Sequence, residues 1–261
     1  MRIATWNVNS LKARLARVET WVGVTQPDVL CLQETKMADE AFPHRAFEAL
    51  GYESAHNGEG RWNGVAVVSR VGLVDPRPGF DDGRNDPDPD ARVLWATCGG
   101  VRVASCYVPN GRAVDHDHYR YKLDWLERLH DDLAANVDTA TTPVAVVGDF
   151  NVAPDDRDVW DPAAFAGATH VTAAERSALA RIVDLGMVDV FRERFAEDGL
   201  HTWWDYRGGA FHKGEGLRID LILASPPMAT VLDWVVVDRN ERKGEKPSDH
   251  APLVAEFAIV G

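Results

Sequence analysis

Amide and carboxylate side chains stand at separated points along the chain, each beside a run of apolar residues. They are Asn7, Glu34, Asp149 with Asn151, Asp220, and the adjacent pair Asp249 and His250. An ionised carboxylate among apolar neighbours is costly unless a cation or a hydrogen-bond network holds it. The repeated arrangement therefore predicts that these side chains converge on one metal-binding pocket suited to phosphate chemistry.

Two of the carboxylates come at the ends of apolar, strand-like runs. Glu34 follows residues 29–32, and Asp149 follows residues 144–148. Strand ends lead into loops that commonly line clefts, although an acid there can also be a simple turn former. Asp220 instead lies within such a run, where alternation places its side chain opposite Leu221 and Leu223. The plain alternative for Asp220 is a structural salt bridge to a nearby arginine.

The neighbours Asp249 and His250 point to opposite sides if their segment is extended. Adjacency alone therefore cannot make them a hydrogen-bonded pair, and a distant carboxylate is the better partner for His250. We expect Asp220 to orient His250 while Asp249 faces the metal.

Runs rich in Val, Ile and aromatic residues predict the strands. They cover residues 2–8, 28–33, 63–69, 92–98, 101–108, 143–148, 217–224, 230–237 and 251–259. Helical spacing of apolar residues predicts helices over 11–22, 119–133 and 173–185, the last with Thr172 as N-cap and Glu175 three residues on. Gly99 and Gly100 join two adjacent strands, which indicates a hairpin. The elements fit an α/β fold with two mixed, mostly antiparallel β-sheets and outer helices.

Length and composition favour one globular domain over residues 1–261. The chain has 261 residues, of which 45% are hydrophobic and 26% are charged, and this is enough material for a large core. The candidate site residues run from Asn7 to His250 with no linker, repeat or low-complexity tract between them. A site that draws on the whole chain is typical of one domain.

The lack of a recognisable targeting signal and the pattern of cysteines predict a cytoplasmic protein with no membrane partner. The N-terminus has no apolar signal-like segment, and no window is apolar enough to predict a membrane span. Cys31, Cys98 and Cys106 are odd in number and show no CxxC spacing. Buried, reduced thiols are therefore favoured over a disulfide or a zinc site.

The net charge of −13 stands against the basic balance that nucleic-acid-binding proteins usually show. Residues 75–90, which are rich in Asp and Pro, read as a solvated acidic loop. Basic side chains precede Asp249 and His250, namely Arg239, Arg242, Lys243 and Lys246. These four residues could form a local basic surface, here called the basic lip, that contacts phosphate on an otherwise acidic protein.

Short motifs around the candidate residues occur in one order along the chain. They are Trp6-Asn7-Val8-Asn9, Leu32-Gln33-Glu34-Thr35-Lys36, Tyr107-Val108-Pro109-Asn110-Gly111, Gly148-Asp149-Phe150-Asn151, Arg218-Ile219-Asp220 and Ser248-Asp249-His250-Ala251-Pro252. Together they resemble the exonuclease III family of AP endonucleases, within the endonuclease/exonuclease/phosphatase superfamily, over essentially the whole chain. The resemblance implies a four-layer α/β sandwich in which two β-sheets pack face to face between helices.

The resemblance also implies a metal ion, Mg²⁺ or Mn²⁺ in its place, held mainly by Glu34. Oxygen ligands and few protein contacts suit Mg²⁺. Asn9 and Asp249 would lie near alternative metal positions, and Asn9 stands where some family members carry Asp, which would weaken a second metal site. The candidate metal-site residues are Glu34, Asn9, Asp249, Asn7, Asp149 and Asn151.

The catalytic roles that the resemblance implies divide between water and phosphate. Asp149 would position or deprotonate the attacking water, Asn151 would hold it, and Asn7 would help to orient Asp149. Tyr107 and His250 would contact the scissile phosphate. Phosphoryl transfer needs such a set, because charge accumulates on the phosphoryl oxygens while water attacks.

Substrate choice is assigned to residues outside this centre. By the same resemblance Trp203, Leu217 and Ile219 would form the walls of a pocket for a flipped-out baseless sugar, and extrusion is easiest for a nucleotide that has lost its base. The alternative is that Trp203 is a core aromatic. Asn110, Arg112 and Lys36 are expected to contact the DNA backbone, with solvated charges or turn residues as the alternative.

The implied function is metal-dependent hydrolysis of the phosphodiester 5′ to an abasic site in duplex DNA, with 3′→5′ exonuclease and 3′-phosphatase or phosphodiesterase activity. The substrates would be duplexes with abasic sites or blocked 3′ ends, cut by a monomer without an organic cofactor. The alternatives are a phosphatase of the same superfamily and a catalytically silent DNA-binding protein. The other histidines are expected at the surface or in loops, namely His44, His56, His116, His118, His130, His170, His201 and His212.

Overall fold

The computed structural model describes residues 1–259. Its strands are β1 (Arg2–Asn7), β2 (Val29–Gln33), β3 (Glu53–Asn57), β4 (Val65–Ser69), β5 (Val74–Pro78), β6 (Val93–Cys98), β7 (Val101–Tyr107), β8 (Val144–Asp149), β9 (Val188–Asp189), β10 (Trp203–Trp204), β11 (Gly216–Leu217), β12 (Asp220–Ala224), β13 (Leu232–Val237) and β14 (Leu253–Phe257). Its α-helices are α1 (Leu11–Thr25), α2 (His44–Ala49), α3 (Asp117–Asn136), α4 (Ala173–Val183), α5 (Ala210–Lys213) and α6 (Pro226–Ala229).

Twelve of these strands form two six-stranded sheets. The first sheet has the order β13-β14-β1-β2-β4-β3, and the second has the order β5-β6-β7-β8-β12-β9. Each sheet contains one parallel pair, β1 with β2 and β7 with β8, while the other neighbours are antiparallel. The prediction of two mixed, mostly antiparallel sheets is confirmed.

Alternation along the strands builds three apolar layers. Val29 and Cys31 of β2 face the second sheet, whereas Leu30 and Leu32 face α1. The second sheet packs its outer face against α3 and α4 in the same way. Because a strand covered on both faces must be apolar at consecutive positions, these segments read as continuous hydrophobic runs in the sequence.

A few polar side chains bond across the inter-sheet core. Gln33 donates from Nε2 to Ser105 Oγ at 3.1 Å and accepts from Thr5 Oγ1 at 3.1 Å. Ser105 Oγ in turn donates to the Leu32 carbonyl at 3.2 Å. All of these side chains are buried. Because buried polar groups are costly unless bonded, the network favours one relative placement of the two sheets.

Most of the predicted elements are confirmed, and the errors have physical causes. Thr172 and Glu175 form the predicted capping box at the start of α4, and β6 and β7 form the predicted hairpin. The polar edge strand β3 was missed because it lacks the apolar alternation on which the prediction depends. The predicted strand over 217–224 is broken at Arg218 and Ile219 into β11 and β12.

The prediction of a solvated loop over residues 75–90 is wrong in part, since residues 79–90 do form a loop with many exposed residues but the segment is also tied to the protein. Its first residues belong to β5, and Asp82 and Asp88 pack against α3. Arg128 donates to Asp82 at 2.6 Å. Asp88 accepts from the Tyr121 hydroxyl at 2.6 Å and from the Trp125 indole at 2.7 Å. Buried acids are tolerated when they are paired in this way, and composition alone does not reveal the partners.

The three cysteines are free and buried, as predicted. Burial raises the pKa of Cys98 to about 11 and raises the pKa of Cys106 further, so these thiols stay protonated and unreactive. Within residues 1–259, every helix is too short or too polar to cross a membrane.

Candidate active site

Strand register brings the predicted residues to one end of the two sheets. In the first sheet Asn7 is paired with Gln33, so Glu34 follows directly beside it. In the second sheet Asp149 has Tyr107 as its partner on one side and Asp220 on the other. The two sheets thus present their polar strand ends to each other across the edge of the apolar core.

A glycine before Asp149 is required by close packing. Gly148 has φ +146°, and a Cβ at this position would lie 1.9 Å from the Cys106 carbonyl oxygen. Any side chain would therefore push β8 away from β7. The glycine keeps the strands together where the register aligns Tyr107 and Asp149.

Asn7 joins the carboxylates of the two sheets. Its amide Nδ2 donates to Glu34 Oε1 at 2.9 Å and to Asp149 Oδ2 at 2.9 Å. Its Oδ1 accepts from the Asn9 backbone at 3.0 Å, which fixes the orientation of the amide. Asp149 Oδ1 accepts from the Asn151 backbone at 2.9 Å. Both oxygens of Asp149 are therefore held in place, and its side chain is buried.

His250 lies between two buried carboxylates. Its Nδ1 is 2.8 Å from Asp220 Oδ2, and its Nε2 is 3.6 Å from Asp149 Oδ2. Burial lowers the pKa of His250, but the carboxylates of Asp220 and Asp149 outweigh burial and raise that pKa to about 10. Burial raises the pKa of Asp149 to about 7, although the charge of His250 acts in the opposite direction. The imidazole of His250 is therefore protonated at neutral pH, and it lies beside a carboxyl group whose pKa is close to that pH.

The arginine nearest to Asp220 in sequence pairs elsewhere. Arg218 donates to Asp158 at 2.6 Å and lies 2.8 Å from Asp189. The alternative of an Asp220–arginine salt bridge therefore has no support in the observed contacts.

Replacing Asp220 by Asn should lower the pKa of His250 by at least about one unit, because an opposite charge within hydrogen-bonding distance stabilises the imidazolium. Removing that charge leaves burial and the more distant Asp149 to set the titration. The pKa is measured by NMR titration of the imidazole signals, with Asp233→Asn at an exposed position as the control. An unchanged pKa in Asp220→Asn would refute the pairing.

Tyr107, Asn110 and Asn151 line the open side of this centre. Burial and the nearby Glu34 raise the pKa of Tyr107 well above its usual range, so the phenol remains a hydrogen-bond donor. Asn110 Nδ2 donates to Asn151 Oδ1 at 3.3 Å. Asn110, Tyr107 and the exposed Arg112 line a groove of about 830 Å³ that leads away from the centre.

Lys36, Asn9, Asp249 and Trp203 form a second polar group next to Glu34. Lys36 Nζ lies 2.8 Å from Glu34 Oε2 and 2.5 Å from Asn9 Oδ1. Asp249 accepts from Asn9 Nδ2 at 3.1 Å and from the Trp203 indole at 3.1 Å. The site residues predicted around Asn9 and Asp249 are therefore in mutual contact beside Glu34.

The donor atoms near Glu34 fit a hard cation. One ligand atom each from Glu34, Asp149 and His250 lie within 4.8 Å of one another. His250 carries a proton and is bonded to Asp220, so it is a poor ligand. The remaining donors are carboxylate oxygens, which suit Mg²⁺ or Mn²⁺.

Trp203, Leu217 and Ile219 are neighbours in a small apolar cluster. Trp203 pairs with Leu217 across β10 and β11, and its backbone also bridges to His250. Leu217 and Ile219 are buried, while Trp203 is partly exposed. The cluster thus lies directly beside His250.

Some residues near the site differ from the expectations. His56 lies in β3 with a buried side chain, so its assignment to the surface or a loop is wrong. His201 lies in a loop, as predicted, but is buried. His170 lies in the site, with Nδ1 2.6 Å from the Asn151 carbonyl oxygen and Nε2 3.5 Å from Asn110 Nδ2. No sequence motif marked His170, because its segment is joined to the site only by tertiary packing.

The predicted basic lip is wrong in one of its members. Arg242 is buried, donates to the Trp204 carbonyl at 3.3 Å and lies 5.1 Å from the Phe211 ring. Arg239, Lys243 and Lys246 are exposed. Arg242 therefore supports the loop before Asp249 instead of offering a free charge to phosphate.

Comparison with known proteins agrees with this geometry. Residues 4–250 match the model of the Endonuclease/Exonuclease/phosphatase family. The chain is 33% identical to exodeoxyribonuclease III of Haemophilus influenzae, over 98% of this chain and 100% of that protein.

Solved structures give the same result. An AP endonuclease from Archaeoglobus fulgidus superposes with a TM-score of 0.95 at 39% identity, covering 99% of this chain and 100% of the other. The 3′ phosphatase NExo from Neisseria, bound to a product DNA hairpin, superposes with a TM-score of 0.94 at 39% identity and the same coverage. With the family model spanning almost the whole chain, the protein belongs to the endonuclease/exonuclease/phosphatase family, as a DNA repair nuclease of the exonuclease III type.

Proposed function

We propose that this enzyme hydrolyses the phosphodiester 5′ to an abasic site in duplex DNA, and that the same centre removes nucleotides and phosphate from 3′ ends. The observation that carries the proposal is the line Asp220–His250–Asp149, which places a protonated imidazole beside a buried carboxylate. A positively charged donor suits a phosphoryl oxygen, and a carboxylate with a pKa near neutrality suits an attacking water.

Each protein group has a distinct part in the proposed reaction. Asp149 accepts a hydrogen bond from the attacking water and takes its proton, while Asn7 keeps the carboxylate oriented. Asn151 holds the same water. His250 and Tyr107 donate to oxygens of the scissile phosphate, where negative charge grows as the water attacks.

Glu34 is the proposed principal metal ligand, with Asp149, Asn7, Asn151, Asn9 and Asp249 as the further candidates. When bound, Mg²⁺, or Mn²⁺ in its place, supplies neutralisation of charge on the phosphate and on the leaving 3′ oxygen. Two carboxylates joined by one amide support the assignment, since like charges held so close favour a cation between them.

Changing Glu34 to Gln should weaken Mg²⁺ binding at least about tenfold, because the variant loses the charged oxygen donor. Isothermal titration calorimetry without DNA measures this affinity independently of catalysis. Glu40→Gln, at an exposed position, serves as the control. Equal Mg²⁺ affinity in wild type and Glu34→Gln would contradict the assignment.

Trp203, Leu217 and Ile219 are proposed to form the wall that receives the baseless sugar. Trp203→Ala should slow abasic-site cleavage about tenfold or more, since an apolar side-chain contact is worth about 1.5–3 kcal/mol, and should slow hydrolysis of a small diester less. Trp203→Phe is the control that keeps the apolar wall and removes the indole contact to Asp249. Equal losses on both substrates would make Trp203 a structural residue.

Backbone contact is assigned to Asn110, Arg112 and Lys36. The groove shared by Asn110 and Arg112 supports a path for one DNA strand, and Lys36 Nζ lies 2.8 Å from Glu34 Oε2. Arginine and asparagine are common phosphate ligands in protein–DNA complexes.

A labelled duplex with one abasic-site analogue, beside an intact duplex, tests the proposal in Mg²⁺ and in EDTA. Mg²⁺-dependent incision 5′ to the lesion, ahead of end degradation, is the expected result. Release of nucleotides or phosphate from 3′ ends without incision would favour the second candidate, a 3′-end-processing enzyme, which the likeness to the Neisseria 3′ phosphatase supports. Binding without cleavage would favour a silent DNA-binding protein.

We also propose that the chain works as one domain and as a monomer in the cytoplasm. The centre draws on residues from Asn7 to His250 of a single chain, which supports the first two points. Three free, buried cysteines support a reducing compartment.

A further inference from the structure

A buried ion pair lies directly behind the open side of the centre. Lys122 of α3 and Glu175 of α4 are 2.5 Å apart, and both side chains are fully buried. Burial of two charges is costly unless further hydrogen bonds satisfy them. The ion pair with Lys122 lowers the pKa of Glu175 to about 2 despite burial, so Glu175 remains charged. Burial lowers the pKa of Lys122, and the charge of Glu175 acts against that lowering.

The remaining contacts of Lys122 lead to the site residues. Its Nζ donates to the Asn151 carbonyl at 2.6 Å and to the Asn110 carbonyl at 3.4 Å. It also lies 3.3 Å from Thr169 Oγ1, which is 3.0 Å from the same Asn110 carbonyl oxygen. One ammonium group therefore connects the loop after β7 with the loop after β8.

Glu175 completes the network with all of its oxygen acceptors in use. Its Oε1 accepts from Thr169 Oγ1 at 2.6 Å and from the His170 backbone at 2.9 Å. Its Oε2 accepts from the backbone and the hydroxyl of Thr172 at 3.0 and 2.8 Å. Glu175 thus holds Lys122 while it also serves as the cap of α4.

The backbone approaches this network too closely for a side chain. A Cβ on Gly111, next to Asn110, would lie 2.7 Å from Thr169 Oγ1 and 3.2 Å from Lys122 Cδ. The φ of Gly111 is +90°, which other residues rarely adopt. The lack of a side chain at Gly111 therefore lets the Asn110 loop lie close to Thr169 and Lys122.

Stability alone does not account for a charged pair here. The helices α3 and α4 already pack through apolar residues, including Leu126 and Leu129 against Leu179 and Ile182. Replacing a buried ion pair by apolar residues of similar volume is often neutral or stabilising, so helix packing by itself does not require a charged pair. What an apolar pair cannot do is donate to the two carbonyls.

We propose that Lys122, fixed by Glu175, is a positioning residue that sets the backbone of Asn110 and Asn151 and so aims their amides at substrate phosphate and at the attacking water. The inference rests on the proposed phosphodiesterase function. Asn151 also donates from its backbone to Asp149, so a shift of this loop would disturb the water-binding carboxylate as well.

Paired variants separate positioning from stability. Lys122→Met leaves Glu175 buried without its partner and should lower both melting temperature and turnover. The double variant Lys122→Met/Glu175→Gln removes the uncompensated charge, so it should recover the melting temperature. Its turnover should stay about 100-fold below that of the wild type, which is the loss expected when a reacting group is misplaced by about 1 Å. Recovery of turnover together with stability would overturn the proposal.

The matched control is the ion pair of Arg128 and Asp82 on the same helix, also nearly buried but facing the acidic segment. The double variant Arg128→Met/Asp82→Asn should leave turnover within about twofold of wild type. An equal loss of turnover in this control would mean that any buried pair on α3 has the same effect, and would overturn the specific role of Lys122.

A crystal structure of Lys122→Met/Glu175→Gln provides a readout without activity. The amides of Asn110 and Asn151 should be displaced relative to wild type, and unchanged positions would overturn the proposal. If the wild-type enzyme cleaves none of the DNA substrates, the proposed function fails, yet the positions of the two amides still decide the role of Lys122.

Discussion

Asp149→Asn is expected to lower turnover on abasic DNA by about 10³-fold, within the range for loss of a general base. Asparagine keeps the shape but has one acceptor oxygen, so it retains one of the two hydrogen bonds that Asp149 accepts from Asn7 and Asn151, and it cannot take a proton from water. Because burial raises the pKa of Asp149, the charged form is disfavoured in the fold, and the neutral variant should melt at or above the wild-type temperature. Single-turnover kinetics with saturating duplex measure the chemical step.

Asp117→Asn is a suitable control for Asp149→Asn, since its side chain is 92% exposed and pairs with Arg120. The control should retain wild-type turnover. Near-normal turnover in Asp149→Asn itself would remove this residue from the proposed chemistry.

His250→Asn is expected to lower turnover by about 10²–10⁴-fold with little change in fold, because the imidazolium is the strongest donor available to the phosphate. Asp220 and Asp149 lose their shared cation in this variant and can respond by taking up a proton. Steady-state turnover and circular dichroism, compared with His44→Asn at an exposed position, measure the two parts of the prediction.

The double variant His250→Asn/Asp220→Asn tests whether Asp220 acts only through His250. Since Asp220 acts through His250, the double variant should be no slower than His250→Asn alone. Additive losses would give Asp220 a role of its own, and near-normal turnover in His250→Asn would refute the role of the histidine.

The sequence predicted the acidic site residues because their positions in strands are local properties. Asp149 and Glu34 stand at the ends of apolar runs, and alternation alone places Asp220 on the face opposite Leu221 and Leu223. In the structure Leu221 and Leu223 do face the outer helices while Ile222 faces the other sheet. Two sheets with outer helices follow from the same alternation.

What the sequence could not supply was the order of the strands. Tyr107, Asp149 and Asp220 become neighbours only because β8 lies between β7 and β12, and no local pattern fixes that order. Lys122 was overlooked for a related reason. It occupies a position within an amphipathic helix where a lysine is ordinarily solvated, and its burial depends on α4 and on the loops after β7 and β8.

The amide of Asn7 donates to a carboxylate on each sheet, so the proposed catalytic centre lies at the junction of the two sheets and is built from both. The thickness of the apolar layer between the sheets then sets the distance between the site residues of one sheet and those of the other. Water, phosphate and the proposed metal ion must fit within that distance. A bulkier or smaller side chain in this layer, even one far from bound DNA, would change the distance between the two sheets and so the distance between their site residues. Interior packing is thus a determinant of catalytic geometry in this enzyme, as well as of its stability.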